Sequence, residues 1–184
     1  GIMLNGAQGD DDEAYGGHFA IATGTMGPRG EMADWIVNNF YALDAYGEKG
    51  ILAAPVPMDN YLADLNSGQS YYRPSYMLVA VLNNARTAVA YQGGVQRLYN
   101  QYYRHDIAYD GAFNNCAGLS MDVFDALGWK IPARGPTDAL MALAGYPYKA
   151  ISKLSLKEGR KAYDYLSEEQ TRLYPAVAFD AAGQ

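Results

Sequence analysis

Cys116 is the only cysteine in this 184-residue chain, and a thiol is the side chain here best suited to attack a carbonyl carbon. It stands in the run Asn114-Asn115-Cys116-Ala117-Gly118-Leu119-Ser120, where a polar loop gives way to an apolar helical pattern. Leu119, Val123 and Leu127 recur every fourth residue with Phe124 beside Val123, so one face of the segment is apolar. Gly128 and then Pro132 are stop signals for that helix. Cys116 therefore falls in or near a first turn, where unpaired N–H groups and the positive dipole end favour a thiolate. The plain alternative is a small buried hydrophobe, the commonest fate of a free cysteine.

A nucleophilic thiol needs a base, and the chain has two histidines, His18 and His105. Gly17 to Gly24 reads as a strand in which His18, Ala20 and Ala22 point one way and Phe19, Ile21 and Thr23 the other. Gly24 to Gly30 supplies a turn, and Met32 to Val37 returns as a second strand with Asp34 on the face of Met32 and Ile36. An antiparallel hairpin of this kind brings His18 to a residue between Asp34 and Asn38. A polar side chain there would fix the imidazole tautomer and leave the other ring nitrogen for the thiol. Asp34 is the first choice for that role, with Asn38 and Asn39 in reserve. His105 precedes Asp106 at the end of a helical stretch and reads as a residue placed against a helix C-terminus.

Two stretches carry a resemblance. Asn-Cys-Ala-Gly-Leu-Ser, followed by Leu-Gly and Ile-Pro-Ala-Arg, resembles the nucleophile segment of the NlpC-type cysteine peptidases, papain-like enzymes that cut bacterial cell-wall peptides. Gly17-His18-Phe19-Ala20-Ile21-Ala22-Thr23-Gly24 resembles the histidine strand of that family, and Glu31-Met32-Ala33-Asp34-Trp35 the strand with the third polar residue. The histidine here precedes the cysteine, the order of the circularly permuted branch that includes lecithin retinol acyltransferase-like proteins. The resemblance implies an α+β, papain-like fold of permuted NlpC type, an antiparallel sheet packed against the nucleophile helix. It implies catalytic Cys116, His18 and Asp34, and a bacterial envelope, periplasmic location. Asn115 stands where the family has an aspartate or asparagine. Arg134 matches a family arginine, but with Ala133 inserted.

The length suits one domain with a sizeable core. No window is long and apolar enough to cross a membrane. Gly1 reads as an expression scar, which leaves room for a removed leader or anchor, and with it for membrane association through parts outside this chain. A single cysteine excludes an internal disulfide, no zinc-type cluster exists, and no cofactor is expected. The formal charge of -6 with no basic stripe argues against nucleic acid. Residues 1–12 read as a flexible acidic arm, whose Asp10-Asp11-Asp12 lacks the alternating ligands of a calcium loop. Residues 13–184 form the domain, with a long irregular insert over about 40–75 and a charged helical region over about 150–174, broken at Gly159.

That insert contains Pro55-Val56-Pro57 and a short helix at Tyr61 to Leu65, and ends near Tyr71, Tyr72 and Arg73. Together with Asn38 and Asn115 these three are the candidate substrate-binding residues, on composition. Among the 17 tyrosines, many are expected to be buried with bonded tips, and others to line a groove. Tyr76 to Leu82 reads as a buried strand, Ala88 or Gly94 to Arg104 and Thr137 to Ala144 as helices, and Ala176 to Phe179 as a cut end or last strand. The expected chemistry is acyl transfer through a thioester. A peptide amide of peptidoglycan is the first substrate class, an acyl ester or lipid the second, and a non-catalytic binding domain on the same scaffold the rival outside enzymology.

Overall fold

The computed structural model describes residues 1–5, 17–42, 51–67, 75–109, 114–135 and 139–184. The architecture is α+β. Five strands, β1 (Ile2–Asn5), β2 (His18–Thr23), β3 (Ile36–Ala42), β4 (Ile51–Pro57) and β5 (Ser75–Leu78), form one antiparallel sheet in the order β4-β3-β2-β1-β5. The helices are α1 (Met58–Ser67), α2 (Ala85–Tyr103), α3 (Cys116–Ala126), α4 (Ala139–Ser152), α5 (Leu156–Ser167), the single turn α6 (Gln170–Leu173) and α7 (Pro175–Gly183).

The two faces of the sheet bury two separate sets of side chains, as the period-2 alternation of a strand requires. Phe19, Ile21, Phe40 and Ala53 meet α2, α3 and α7, packing on Tyr91, Val95, Tyr99, Leu119, Val123 and Ala178. Met3, Ala20, Ala22 and Val37 face the other way, against Trp35 and the Met58 and Tyr61 side chains of α1. Nearly every residue of β2 is therefore buried, because it lies between β1 and β3 with helices on both sides.

Several expectations are corrected. Ile2–Asn5 is no arm: it pairs with both β2 and β5 inside the sheet, and residues 6–12 lie outside the described residues. The supposed irregular insert holds β4, and the short helix expected at Tyr61 to Leu65 is the longer α1. Two prolines disguised β4, but it is the edge strand, where missing N–H groups cost the ladder little. The second strand starts at Ile36, not Met32, leaving Asp34 exposed in the preceding turn. The apolar run at Tyr76 to Leu82 is strand only to Leu78, and as the other edge it leaves Tyr76, Leu78, Val81 and Leu82 exposed. Gly159 breaks nothing. It lies inside α5, where a β-carbon would sit 2.7 Å from the Tyr146 carbonyl oxygen, so its lack of a side chain lets α4 and α5 approach closely. The tail is α7, with Pro175 at its start.

Helix α3 forms as its sequence dictates. Asn115 caps α3, its side-chain oxygen accepting from Gly118 N at 2.9 Å. At the other end Gly128 takes φ +75°, Gly128 N bonds Asp125 O and Trp129 N bonds Phe124 O, which closes the helix in a Schellman turn. His105, with φ +61°, performs the same closing turn after α2 and is exposed.

Candidate functional site

The site lies where β2 and β3 part. Their ladder runs from Thr23↔Ile36 to Ile21↔Asn38 and stops. Continued, that register sets His18 opposite Tyr41, with Asn39 as its diagonal neighbour on the same face. The side chains follow it: the rings of His18 and Tyr41 are 4.6 Å apart edge to face, and His18 Nε2 lies 2.6 Å from Asn39 Oδ1. Asp34 is excluded by the same register. It would fall opposite residue 25, seven strand positions or about 23 Å from His18. The residue that orients the imidazole is Asn39, which the sequence reading held only in reserve.

An amide oxygen only accepts, so Nε2 carries the proton and Nδ1 keeps a free lone pair. Asn39 is itself held from α2: its N–H donates to the Tyr99 hydroxyl at 2.8 Å, and Tyr99 is fully buried. On the far side of His18, Asn5 pairs with it across β1 and β2 and donates to the hydroxyl of Tyr61. Burial pushes the His18 imidazole down to about 4, against a smaller upward pull from Asn39, so the ring is neutral at neutral pH.

Cys116 is buried at the first turn of α3. Phe19 N donates to its Sγ at 3.4 Å. Because the amide of Phe19 is bonded to the carbonyl carbon of His18, the sulfur sits against the backbone that carries the imidazole. Among the described residues, the hydrogen bond at Sγ comes from the Phe19 amide, and the one at the imidazole goes to Asn39. The link between sulfur and imidazole is thus the Phe19 amide, and no hydrogen bond joins the two groups directly at rest.

Burial dominates the thiol, raising its pKa to about 11. The N–H groups of Phe19, Ala117 and Cys116 and the Tyr109 hydroxyl all act in the opposite sense. These polar neighbours favour negative charge on the sulfur, yet water exclusion outweighs them and keeps the resting group a neutral thiol. Tyr109 was not singled out from the sequence. It stands seven residues before Cys116 in a tyrosine-rich chain, with nothing local to distinguish it.

The remaining candidates fare unevenly. Asn115 is occupied structurally: its oxygen caps α3 and its Nδ2 donates to Leu173 O at 2.8 Å, tying α3 to α6, which corrects its assignment to substrate binding. Asn38 points to the opposite face from Asn39, buried beside Ile21, with both side-chain polar atoms unpartnered. Tyr71, Tyr72 and Arg73 lie outside the described residues. Arg134 binds Asp180 at 2.7 Å and serves the docking of α7. A cavity of about 430 Å³ opens at the other end of β2, among Thr23, Trp35, Leu82, Phe124 and Trp129; neither His18 nor Cys116 lines it. Among the described residues no group of His, Cys, Asp and Glu is arranged to hold a metal ion. No protein-family model, curated protein or solved structure matches this chain.

Proposed function

We propose that the chain is a thiol-dependent acyl-transfer enzyme of permuted papain-like type, a hydrolase of peptide amides whose substrate class is the cell-wall peptide. Cys116 is the nucleophile, His18 the base and then acid, and Asn39 the orienting residue. The observation that carries this reading is the His18 Nε2–Asn39 Oδ1 bond, which leaves Nδ1 unprotonated on the residue adjoining the Phe19 amide that holds Sγ.

With both groups neutral at rest, the thiol ionises as it attacks. The sulfur bonds to the carbonyl carbon while its proton passes to Nδ1, and the carbonyl electron pair becomes an oxyanion facing the amides at the start of α3. Collapse expels the amine, which takes the proton back from His18, and leaves a thioester on Cys116. Water, deprotonated by the same Nδ1, then releases the acid and restores the thiol. Asn39 keeps Nε2–H bonded throughout and stabilises the transient imidazolium.

The rival reading is a scaffold whose cysteine is inert, and the raised thiol pKa favours it. The two are separated by incubating the intact protein with soluble cell-wall peptides and following amine release, beside iodoacetamide alkylation of Cys116 as a function of pH. The expected result is turnover lost in both Cys116→Ala and His18→Ala, and alkylation at neutral pH slowed by His18→Ala. No turnover, with alkylation that rises only near the raised pKa and is indifferent to His18, would establish the scaffold.

A further inference from the structure

Helices α4 and α5 form an antiparallel hairpin that packs mainly on itself. Gly145 and Gly159 let the helices meet: a β-carbon on either would come within 2.8 Å of the other helix. Apolar side chains that could have closed that interface instead face outward. Leu140, Leu143, Tyr148, Ile151, Leu154 and Leu156 are between 66% and 92% exposed. Leu140, Leu143 and Ile151, with the exposed Pro147 between the last two, follow steps of three, four and four, so they form one continuous stripe along α4. Leu154 extends the stripe past the helix end.

Leu154 is the most telling of these. It closes α4 with φ +48°, where a leucine costs about 1–2 kcal/mol that glycine would not. Leu154 N bonds Ile151 O and Ser155 N bonds Ala150 O, the turn that Gly128 makes after α3. At 92% exposure this side chain gains nothing from the protein's own core. An apolar residue that is both strained and solvated is explained by a surface outside the chain.

Charge identifies that surface. Between Ala139 and Ser167 there are five basic and two acidic residues; the rest of the chain has nine basic and eighteen acidic. Lys149, Lys153, Lys157 and Lys161 follow one another at intervals of four. Lys161 and Arg160 pair with Glu158 and Asp164, whereas the first three lysines have no ion pair among the described residues. We infer that the α4–α5 hairpin is an interfacial anchor that docks on an anionic lipid bilayer, its leucines entering the acyl boundary and its lysines meeting the headgroups. α4 has 14 residues, too short for the hydrocarbon core, so it lies along the surface and does not cross it.

The test is flotation of the whole chain with vesicles of phosphatidylcholine, with and without phosphatidylglycerol. Two variants accompany it: Leu143→Glu with Ile151→Glu, and Lys149→Glu with Lys153→Glu and Lys157→Glu. All five positions are exposed, and unchanged circular dichroism checks the fold. The expected result is binding to the anionic vesicles alone, weakened by salt, and reduced on the order of 100-fold by the lysine reversals. The leucine and isoleucine replacements should abolish it. Absence of vesicle binding overturns the inference, as does binding that survives Leu143→Glu with Ile151→Glu. So does a concentration-dependent dimer, dispersed by that variant in a protein that ignores vesicles, which would assign the stripe to a second copy.

Discussion

Replacing Asn39 by alanine isolates the contact on which the proposed catalytic geometry rests. The deletion leaves His18 Nε2–H without its 2.6 Å acceptor in a site shielded from water. A buried donor stranded in this way costs about 1–3 kcal/mol of folding stability, which for a protein of this length lowers the melting temperature by about 3 °C per kcal/mol. The expected catalytic loss is of similar size, because in the proposed reaction the same bond stabilises the imidazolium formed as the thiol attacks. A hydrogen bond to a charged group contributes roughly 1.5–3 kcal/mol, so turnover should fall about 10- to 100-fold. Asn39→Asp separates orientation from mere packing. A carboxylate of the same shape still accepts from Nε2, so it should recover part of the rate and raise the His18 pKa from about 4. Asp34→Ala is the control: the residue is exposed in a turn, and its loss should change stability by less than about 0.5 kcal/mol and leave turnover intact. The assay is amide turnover across pH beside thermal melting. Equal losses from Asp34→Ala and Asn39→Ala, or a neutral Asn39→Ala, would refute the assignment of Asn39.

Stability should form a plateau in pH with His18 and Cys116 at its two ends. His18 has a folded pKa of about 4 against an ordinary 6.5, so the unfolded chain takes up its proton first and stability falls by roughly 3 kcal/mol as pH drops from 6.5 to 4. Cys116 has a folded pKa of about 11 against 9, so its contribution is complete below pH 9 and is lost between 9 and 11; denaturant titrations of Cys116→Ala should lack that alkaline limb. Asn115→Ala removes both the α3 cap and the bond to Leu173 O, and should cost about 2–3 kcal/mol in urea unfolding, with slower alkylation of Cys116 if the cap positions the thiol.

What could be read in the sequence was local, and what could not was register. Asn115, the apolar repeat from Leu119 to Leu127 and Gly128 are a cap, a buried face and a stop, all written in neighbouring residues, and α3 follows them. The alternation from His18 to Thr23 likewise gave β2 and the separation of His18 from Phe19. The partner of His18 depended instead on where β3 begins. A strand taken to start at Met32 puts Asp34 in the ladder, whereas the start at Ile36 carries the contact to Asn39 and exposes Asp34. Nothing within Met32 to Val37 reveals this, since Trp35 is buried from a turn as readily as from a strand. Pro55 and Pro57 hid β4 because a proline is forbidden only where its N–H is needed, and edge position is a property of the whole sheet. The acidic run hid β1 for the same reason: Ile2 to Asn5 is too short to declare a strand, and it becomes one only between β2 and β5. Its last residue, Asn5, then reaches Tyr61 on α1, behind His18. The polar shell of the site is thus assembled from β1, β3 and α1, none of whose boundaries the sequence placed, around a histidine strand and a cysteine helix that it did.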